Sequence, residues 1–391
     1  MAHLQELDGH YYLQVYRRQP LTLARGKGAR VWDTDGKEYI DALAGIAVNS
    51  VGHCHPKVVE AIQKQAETLI HISNIYTSEP QIMLAEKLAG LTGLDKVFFC
   101  NSGAEAVEGA FKLARKYAHS KGRGGTIISM DGCFHGRTLA TIAAGKEKYQ
   151  KGFEPIPAGF VRIPFNDIEV LRSTVSDDTA AIIFETIQGE GGIRPADADY
   201  MRQVRQLCDE TGIVLILDEI QCGVGRTGTF FAYAQYGIVP DIVTVAKALG
   251  GGMPIGAFAV RQAIADAITF GEHGTTFGGN PLACATALAT IGAVEAEEMA
   301  AAAARKGAHT MQRIKEAAQE IPAILDVRGM GLMIGVELAF EGKDVVAAMR
   351  EKGVLSNVTA ETVMRIVPPL VISDEELDTV IDVLIESIKD G

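Results

Sequence analysis

"VTVAKALGGGMPIGA", residues 243–257, sets a lysine between an apolar run and a loop almost free of side chains. Val243, Val245 and Ala246 read as the end of a buried strand, and Gly250, Gly251 and Gly252 as a loop. Lys247 stands at the junction. Strands that are apolar throughout belong to a sheet covered by helices on both faces. In such sheets ligands gather at the carboxyl ends of the strands, which is where this lysine falls.

The runs preceding and following it fit the same sheet. "KVFFC", "TIISM", "AAIIFE", "IVLILDE", "DIVTVAK" and "IGAFAV" alternate with amphipathic helical patterns from about residue 80 onward. Before them, "ARVWDTDGKEYIDAL" alternates around Asp35-Gly36 and predicts a hairpin with a two-residue turn. After them, Asn280-Pro281 predicts a helix N-cap and first turn. Ser373 with Glu376 predicts a capping box on a last helix whose inner face carries Leu377, Val380, Ile381, Leu384 and Ile388.

Length and charge narrow the function. A chain of 391 residues is too long for one simple core and predicts two lobes. A net charge of −12 opposes nucleic-acid or anionic-membrane binding as the main role, so an anionic ligand must meet local positive groups. The longest uncharged run, Gly274 to Val294, begins Gly/Thr-rich and is broken by Pro281, so no membrane span is expected. The N-terminus lacks the pattern of a secretory signal, which makes cytoplasm the expected location. Six cysteines without a CxxC pair fit reduced, buried thiols.

Three features at strand ends carry chemistry. "KVFFC" runs into Asn101, Ser102, Gly103 and Ala104, a small-residue turn ahead of a helix, where free N–H groups and a hydroxyl suit a phosphate as well as an ordinary cap. Asp218 follows five apolar residues, and a carboxylate so placed needs a cation or donors: a structural salt bridge, or the protonated ring nitrogen of a cofactor. Lys247 comes 29 residues later, and burial would lower its pKa toward a neutral, nucleophilic amine. A phosphate cradle, a pyridinium partner and a carbonyl-reactive amine together are what pyridoxal 5'-phosphate requires. No metal is expected: His53, Cys54 and His55 of "GHCHP" cannot all face one tetrahedral centre, and read as a structural turn.

Eight strings, "GIAVNSVGHCHP", "FFCNSGAEA", "FHGRT", "ETIQGEGG", "LDEIQCGVGRTG", "AKALGGGMPIGA", "HGTTFGGNPLA" and "RIVPPLVIS", stand in the order found in the class III (subgroup II) pyridoxal-phosphate aminotransferases, which this chain resembles almost end to end. The resemblance implies the α/β fold of the fold-type I transferases: a large domain with a mostly parallel seven-stranded sheet, residues 61–294, and a smaller α+β domain from both termini, residues 1–60 and 295–391. It implies that Lys247 bonds the cofactor and shuttles a proton, that Asp218 partners the pyridinium nitrogen, and that Gln221 lies near the ring hydroxyl. Ser102, Gly103 and Ala104 match the phosphate turn, and Phe134 the ring that stacks on the cofactor. Thr276 matches a threonine that reaches the phosphate held by the other subunit of a homodimer with shared active sites.

For substrate, the resemblance assigns carboxylate binding to Arg137 and Arg365, whose fork geometry suits it. Glu190 matches the residue that pairs with Arg365 while an ω-amine is bound, with Glu185 its neighbour in the motif. Thr186 stands where many relatives have proline. Relatives act on several ω-amines with 2-oxoglutarate and glutamate as partners. Ile46, where ornithine-specific relatives place a tyrosine, favours the acylated donor N-acetylornithine, since an apolar contact leaves a free ammonium unpaired.

Two rivals stand against this reading. "GVGRTG", residues 223–228, is a literal G-x-G-x-x-G of the kind found in dehydrogenases, but "DEIQC" separates it from its strand and no helix pattern follows directly. A non-enzymatic protein that kept the fold is opposed by the presence of every expected catalytic residue type.

Overall fold

A seven-stranded sheet organises the molecule, with Lys96–Cys100, Gly256–Val260, Ile242–Val245, Val214–Asp218, Thr179–Glu185, Thr126–Met130 and Phe160–Ile163 side by side in that order. The computed structural model describes residues 2–390. Only Gly256–Val260 runs against its neighbours, and the other pairings in the middle of the sheet are parallel. The central strands Thr179–Glu185, Val214–Asp218 and Ile242–Val245 are buried at every position, as their unbroken apolar runs require. Phe160–Ile163, an edge strand with the mixed sequence FVRI, carries no such run and escapes sequence reading.

Helices cover both faces. Gly103–Ser120 packs Val107, Ala110, Phe111 and Ala114 onto one side, and Pro281–Ala296 and Ala198–Thr211 lie within the core on the other. Asn280 caps Pro281–Ala296 through a side-chain oxygen that accepts from Ala283 N at 2.8 Å. The capping box at Ser373 and Glu376 forms, and the inner face of Asp374–Lys389 is buried as its spacing demands.

Both termini contribute smaller sheets. Leu23–Lys27, Arg30–Asp33, Glu38–Asp41 and Val354–Leu355 make one, and Ile324–Met330, Met333–Leu338, Val363–Ile366 and Asn357–Thr359 the other. The hairpin around Asp35-Gly36 forms, but its loop is three residues rather than two. Asp33 and Lys37 close it, with the Asp33 carboxylate accepting from Asp35 N and Lys37 N at 2.9 Å each. A side-chain acceptor that replaces backbone pairing is invisible to a turn-dipeptide rule.

The decoy motifs resolve into structure. "GVGRTG" is a loop that leads to a short 3-10 turn, Ala232–Tyr236, instead of opening a helix. Its Arg226 is fully buried and donates to Leu332 O at 3.0 Å, Pro368 O at 2.5 Å and Ser50 Oγ at 3.0 Å. Burial pulls its pKa down to about 9. The guanidinium thus fastens three distant segments, and Pro368 follows shortly after Arg365. In "GHCHP", His53 meets Asp41 at 2.7 Å and His55 meets Glu297 at 3.1 Å, so the two rings serve different partners.

Arg226→Met should lower the thermal unfolding midpoint sharply. Three buried acceptors lose their donor, at a cost of roughly 1–3 kcal/mol each. An unfolding midpoint equal to that of the parent protein would show that the clamp contributes nothing.

Candidate active site

Cys100, Glu185, Asp218 and Val245 end their strands at one edge of the sheet, and the loops that follow them line a cavity of about 470 Å³. Asp218 lies opposite Glu185 and Thr244 in the register, which puts two carboxyl groups on neighbouring strands. Asp218 is 2% exposed. Its Oδ2 lies 2.7 Å from His135 Nδ1, and its Oδ1 accepts from Ile220 N at 3.0 Å.

His135 is the residue that sequence reading missed, although it stands inside "FHGRT". Burial acts to depress the imidazole, but Cys133 and the Asp218 carboxylate outweigh that and raise its pKa well above the ordinary histidine value. The charged ring is therefore the cation that the dry carboxylate needs. Gly136, at φ 139°, lets this loop approach the first turn of helix Gly103–Ser120: a Cβ there would stand 2.8 Å from Ala104 Cβ. The cradle and the His135 loop are thereby held together.

Lys247 begins a short 3-10 turn, Lys247–Gly250, with φ at 43°. A left-handed conformation at a non-glycine residue stores roughly 1–3 kcal/mol and marks a position fixed by its surroundings. Burial, then the positive charge of Arg365, lowers the amine from 10.5 to about 8, against the opposing pull of Glu190, Asp218 and Glu185. Burial also pushes Glu185 up to about 7, opposed by His135 and by N–H groups from Phe134 and Gly189 at 3.2 Å. Glu219 faces away from the cavity: it accepts from Thr186 Oγ1 at 2.6 Å and from Ala232 N at 2.8 Å, so the residue that departs from proline holds a buried structural carboxyl.

Ser102 caps its helix, accepting from Glu105 N at 3.3 Å, while Ser102, Gly103 and Ala104 all line the cavity. Phe134, Arg137, Gln221 and Lys247 line it too. Arg365 and Glu190 stand one layer behind. Arg365 is 1% exposed, pairs directly with Glu190, and donates to Gln221 Oε1 at 3.3 Å and, through Nε, to Asn357 Oδ1 at 3.1 Å. Burial alone would raise Glu190, but the Arg365 charge and hydrogen bond prevail and lower it. Gly189 is needed for this packing, because a Cβ there would fall 2.3 Å from Gln221 Oε1.

Besides Arg365 and Glu190, Thr276 and Ile46 also lie outside the cavity lining of this chain. Thr276 is exposed on the loop before Asn280. Ile46 is 37% exposed in a left-handed turn from Ala44 to Ala47, and Val48 supplies the wall instead. A run of positive-φ residues rotates side chains away from the alternation that a motif alignment assumes.

The class-III aminotransferase family model matches residues 11–388. The chain belongs to that family. It is 57% identical to the acetylornithine aminotransferase of Methanocaldococcus jannaschii, over 97% of this chain and 96% of that protein. Its fold matches a crystal structure of ornithine aminotransferase from Toxoplasma gondii with a TM-score of 0.96 at 36% identity, covering 99% of this chain and 94% of that one. N-acetylornithine aminotransferase from Stenotrophomonas maltophilia gives 0.85 at 39%, covering 98% of each. The enzyme is an aminotransferase, its cofactor is pyridoxal phosphate, and the seven-stranded sheet is that of the fold-type I transferases.

The residues present fit that cofactor. Free N–H groups at the start of a helix suit its phosphate, the His135-backed carboxylate a protonated ring nitrogen, and the depressed amine its aldehyde. Capture of the cofactor by the apoprotein should follow the neutral form of Lys247. The rate should rise roughly tenfold per pH unit below pH 8 and level off above it. The same depression costs the apoprotein stability: the cost is absent above 10.5, grows as pH falls, and is complete below about 8. A capture rate independent of pH across this range would contradict the assignment.

Proposed function

We propose that the protein transfers the δ-amino group of N-acetylornithine to 2-oxoglutarate, giving N-acetylglutamate 5-semialdehyde and glutamate, as a step of arginine biosynthesis in the cytoplasm. The observation that carries this reading is the arginine pair around a cavity whose amine is held near neutrality. Relatives 47–57% identical over nearly the whole chain and named acetylornithine aminotransferase favour the acylated donor. So does an apolar wall of Val48, Ile187, Ile220 and Met253, which offers no partner to a free ammonium.

When bound, pyridoxal phosphate supplies an electron-poor ring that takes up the electron pair left as a C–H bond beside the amine breaks. Ser102, Gly103 and Ala104 would hold its phosphate, and Phe134 and Gln221, which line the same cavity, would contact its ring. Asp218, paired with His135, would favour a proton on the ring nitrogen. Lys247 would bond the cofactor aldehyde at rest and, once displaced as a free amine, would be the base that takes the proton from the δ-carbon of the donor. Arg137 holds the carboxylate of the donor, and later the side-chain carboxylate of glutamate.

Arg365 serves only one half of the cycle. While the ω-amine reacts, the Glu190 contact occupies the guanidinium; when 2-oxoglutarate enters, its α-carboxylate replaces Glu190.

The active unit is a homodimer with shared sites. Ile75 and Tyr76 are 81% and 72% exposed, and Phe277 is 61% exposed. Asn74 Nδ2 ties these segments together by donating to Thr275 O at 3.1 Å and Gly278 O at 3.0 Å. Thr276 is exposed beside Phe277 and in this reading would reach a phosphate in the partner's cavity. Large exposed apolar side chains grouped on tied segments mark an interaction surface.

Three measurements test this reading. In a panel of ω-amino donors with 2-oxoglutarate, kcat/KM should be highest for N-acetylornithine; an equal or higher value for free ornithine or 4-aminobutyrate overturns the donor assignment. In single turnovers, Arg365→Ala should slow the 2-oxoglutarate half-reaction far more than the amine half-reaction, by about 1.5–3 kcal/mol per lost charged hydrogen bond. Equal losses would exclude the exchange with Glu190. Thr276→Ala should weaken cofactor binding in the dimer, and a monomer with full cofactor affinity would contradict shared sites.

A further inference from the structure

Arg137 is exposed at the rim of the cavity and meets aromatic surface there. Its guanidinium carbon lies 3.5 Å from the ring centroid of Tyr149 and 4.8 Å from that of Phe134. The two rings stand at 89° with centroids 6.3 Å apart, so they form a corner that encloses the cation on two sides. Tyr149 closes a short 3-10 turn, Glu147–Tyr149, and its N–H donates to Lys146 O at 3.0 Å. Gln150 pins that turn, donating from Nε2 to Ile142 O at 2.8 Å and to Gly145 O at 3.2 Å. The Lys148 ammonium lies 5.3 Å from the same ring.

A guanidinium stacked on a ring keeps all its N–H donors, because they lie in its own plane and point edgewise. A stacked arginine is also already ordered, so less rotamer freedom is lost when a carboxylate arrives. We propose that Tyr149 is a positioning residue for substrate binding: its ring face holds the Arg137 guanidinium flat at the cavity wall, with a bidentate edge presented to the carboxylate of an incoming substrate. Phe134 lines the cavity and completes the corner, but Tyr149 makes the closer contact. This inference rests on Arg137 being the carboxylate anchor of the proposed reaction.

The test compares Tyr149→Leu and Tyr149→Gln with Tyr149→Phe in the cofactor-loaded enzyme. Two quantities are read: the dissociation constant of glutarate, a five-carbon dicarboxylate that cannot react, and KM against kcat for donor and acceptor. Leu and Gln should each weaken glutarate and raise both KM values by roughly two- to fivefold, with little change in kcat. Phe, which retains the ring face, should restore wild-type values. In an Arg137→Ala background, Tyr149→Leu should add nothing. Glutarate affinity unchanged in the Leu and Gln variants, with Arg137→Ala weakened, overturns the positioning role alone. Unchanged affinity in Arg137→Ala overturns the anchor and this inference with it. A Phe variant as weak as Leu, or a further loss in the Arg137→Ala background, also overturns it.

Discussion

A carboxylate in a dry place governs this molecule. Asp218 ends a strand buried at all five positions, and its ionised form is costly there without a cation in contact. His135 supplies the cation at 2.7 Å, and Gly136 brings its loop onto the helix start at Ala104. The phosphate cradle, the ring-nitrogen site and the loop that carries Arg137 are consequently parts of one packed unit. A change in any of them is felt by the others, since a buried ion pair tolerates little displacement.

The second organising feature is the competition for Arg365. Its guanidinium is shared among Glu190, Gln221 and Asn357, and its charge helps hold Lys247 near neutrality. One cation therefore does two things: it lowers the lysine pKa and stands ready for a carboxylate. Arg226 secures the geometry by joining Pro368, just beyond Arg365, to Ser50 and to the loop that follows Asp218. Positions that look like loose glycine-rich loop in the sequence are thus tied to the substrate side of the cavity.

Much of this was legible in the sequence, for physical reasons that differ by element. Unbroken apolar runs announced the central strands because burial on both faces leaves no room for alternation, and caps at Ser102, Asn280 and Ser373 announced helix starts. Asp218 and Lys247 stood out because a charge after an apolar run needs an explanation. What stayed hidden depends on partners brought from afar. His135 and Tyr149 acquire their roles only through Asp218 and Arg137, and the pattern around them is irregular loop. The edge strand Phe160–Ile163 is half exposed and lacks periodicity. Ile46 fell off the cavity wall because consecutive left-handed residues turned the chain, which no alignment of motifs encodes.

The most direct test of the central claim is Asp218→Asn, which keeps shape and removes the charge that favours a protonated ring nitrogen. The claim predicts a fall in kcat on the order of a hundredfold or more, with cofactor affinity changed far less, since the phosphate cradle and Lys247 remain. Turnover close to that of the parent enzyme would contradict it, and would place the electron sink's control elsewhere in the cavity.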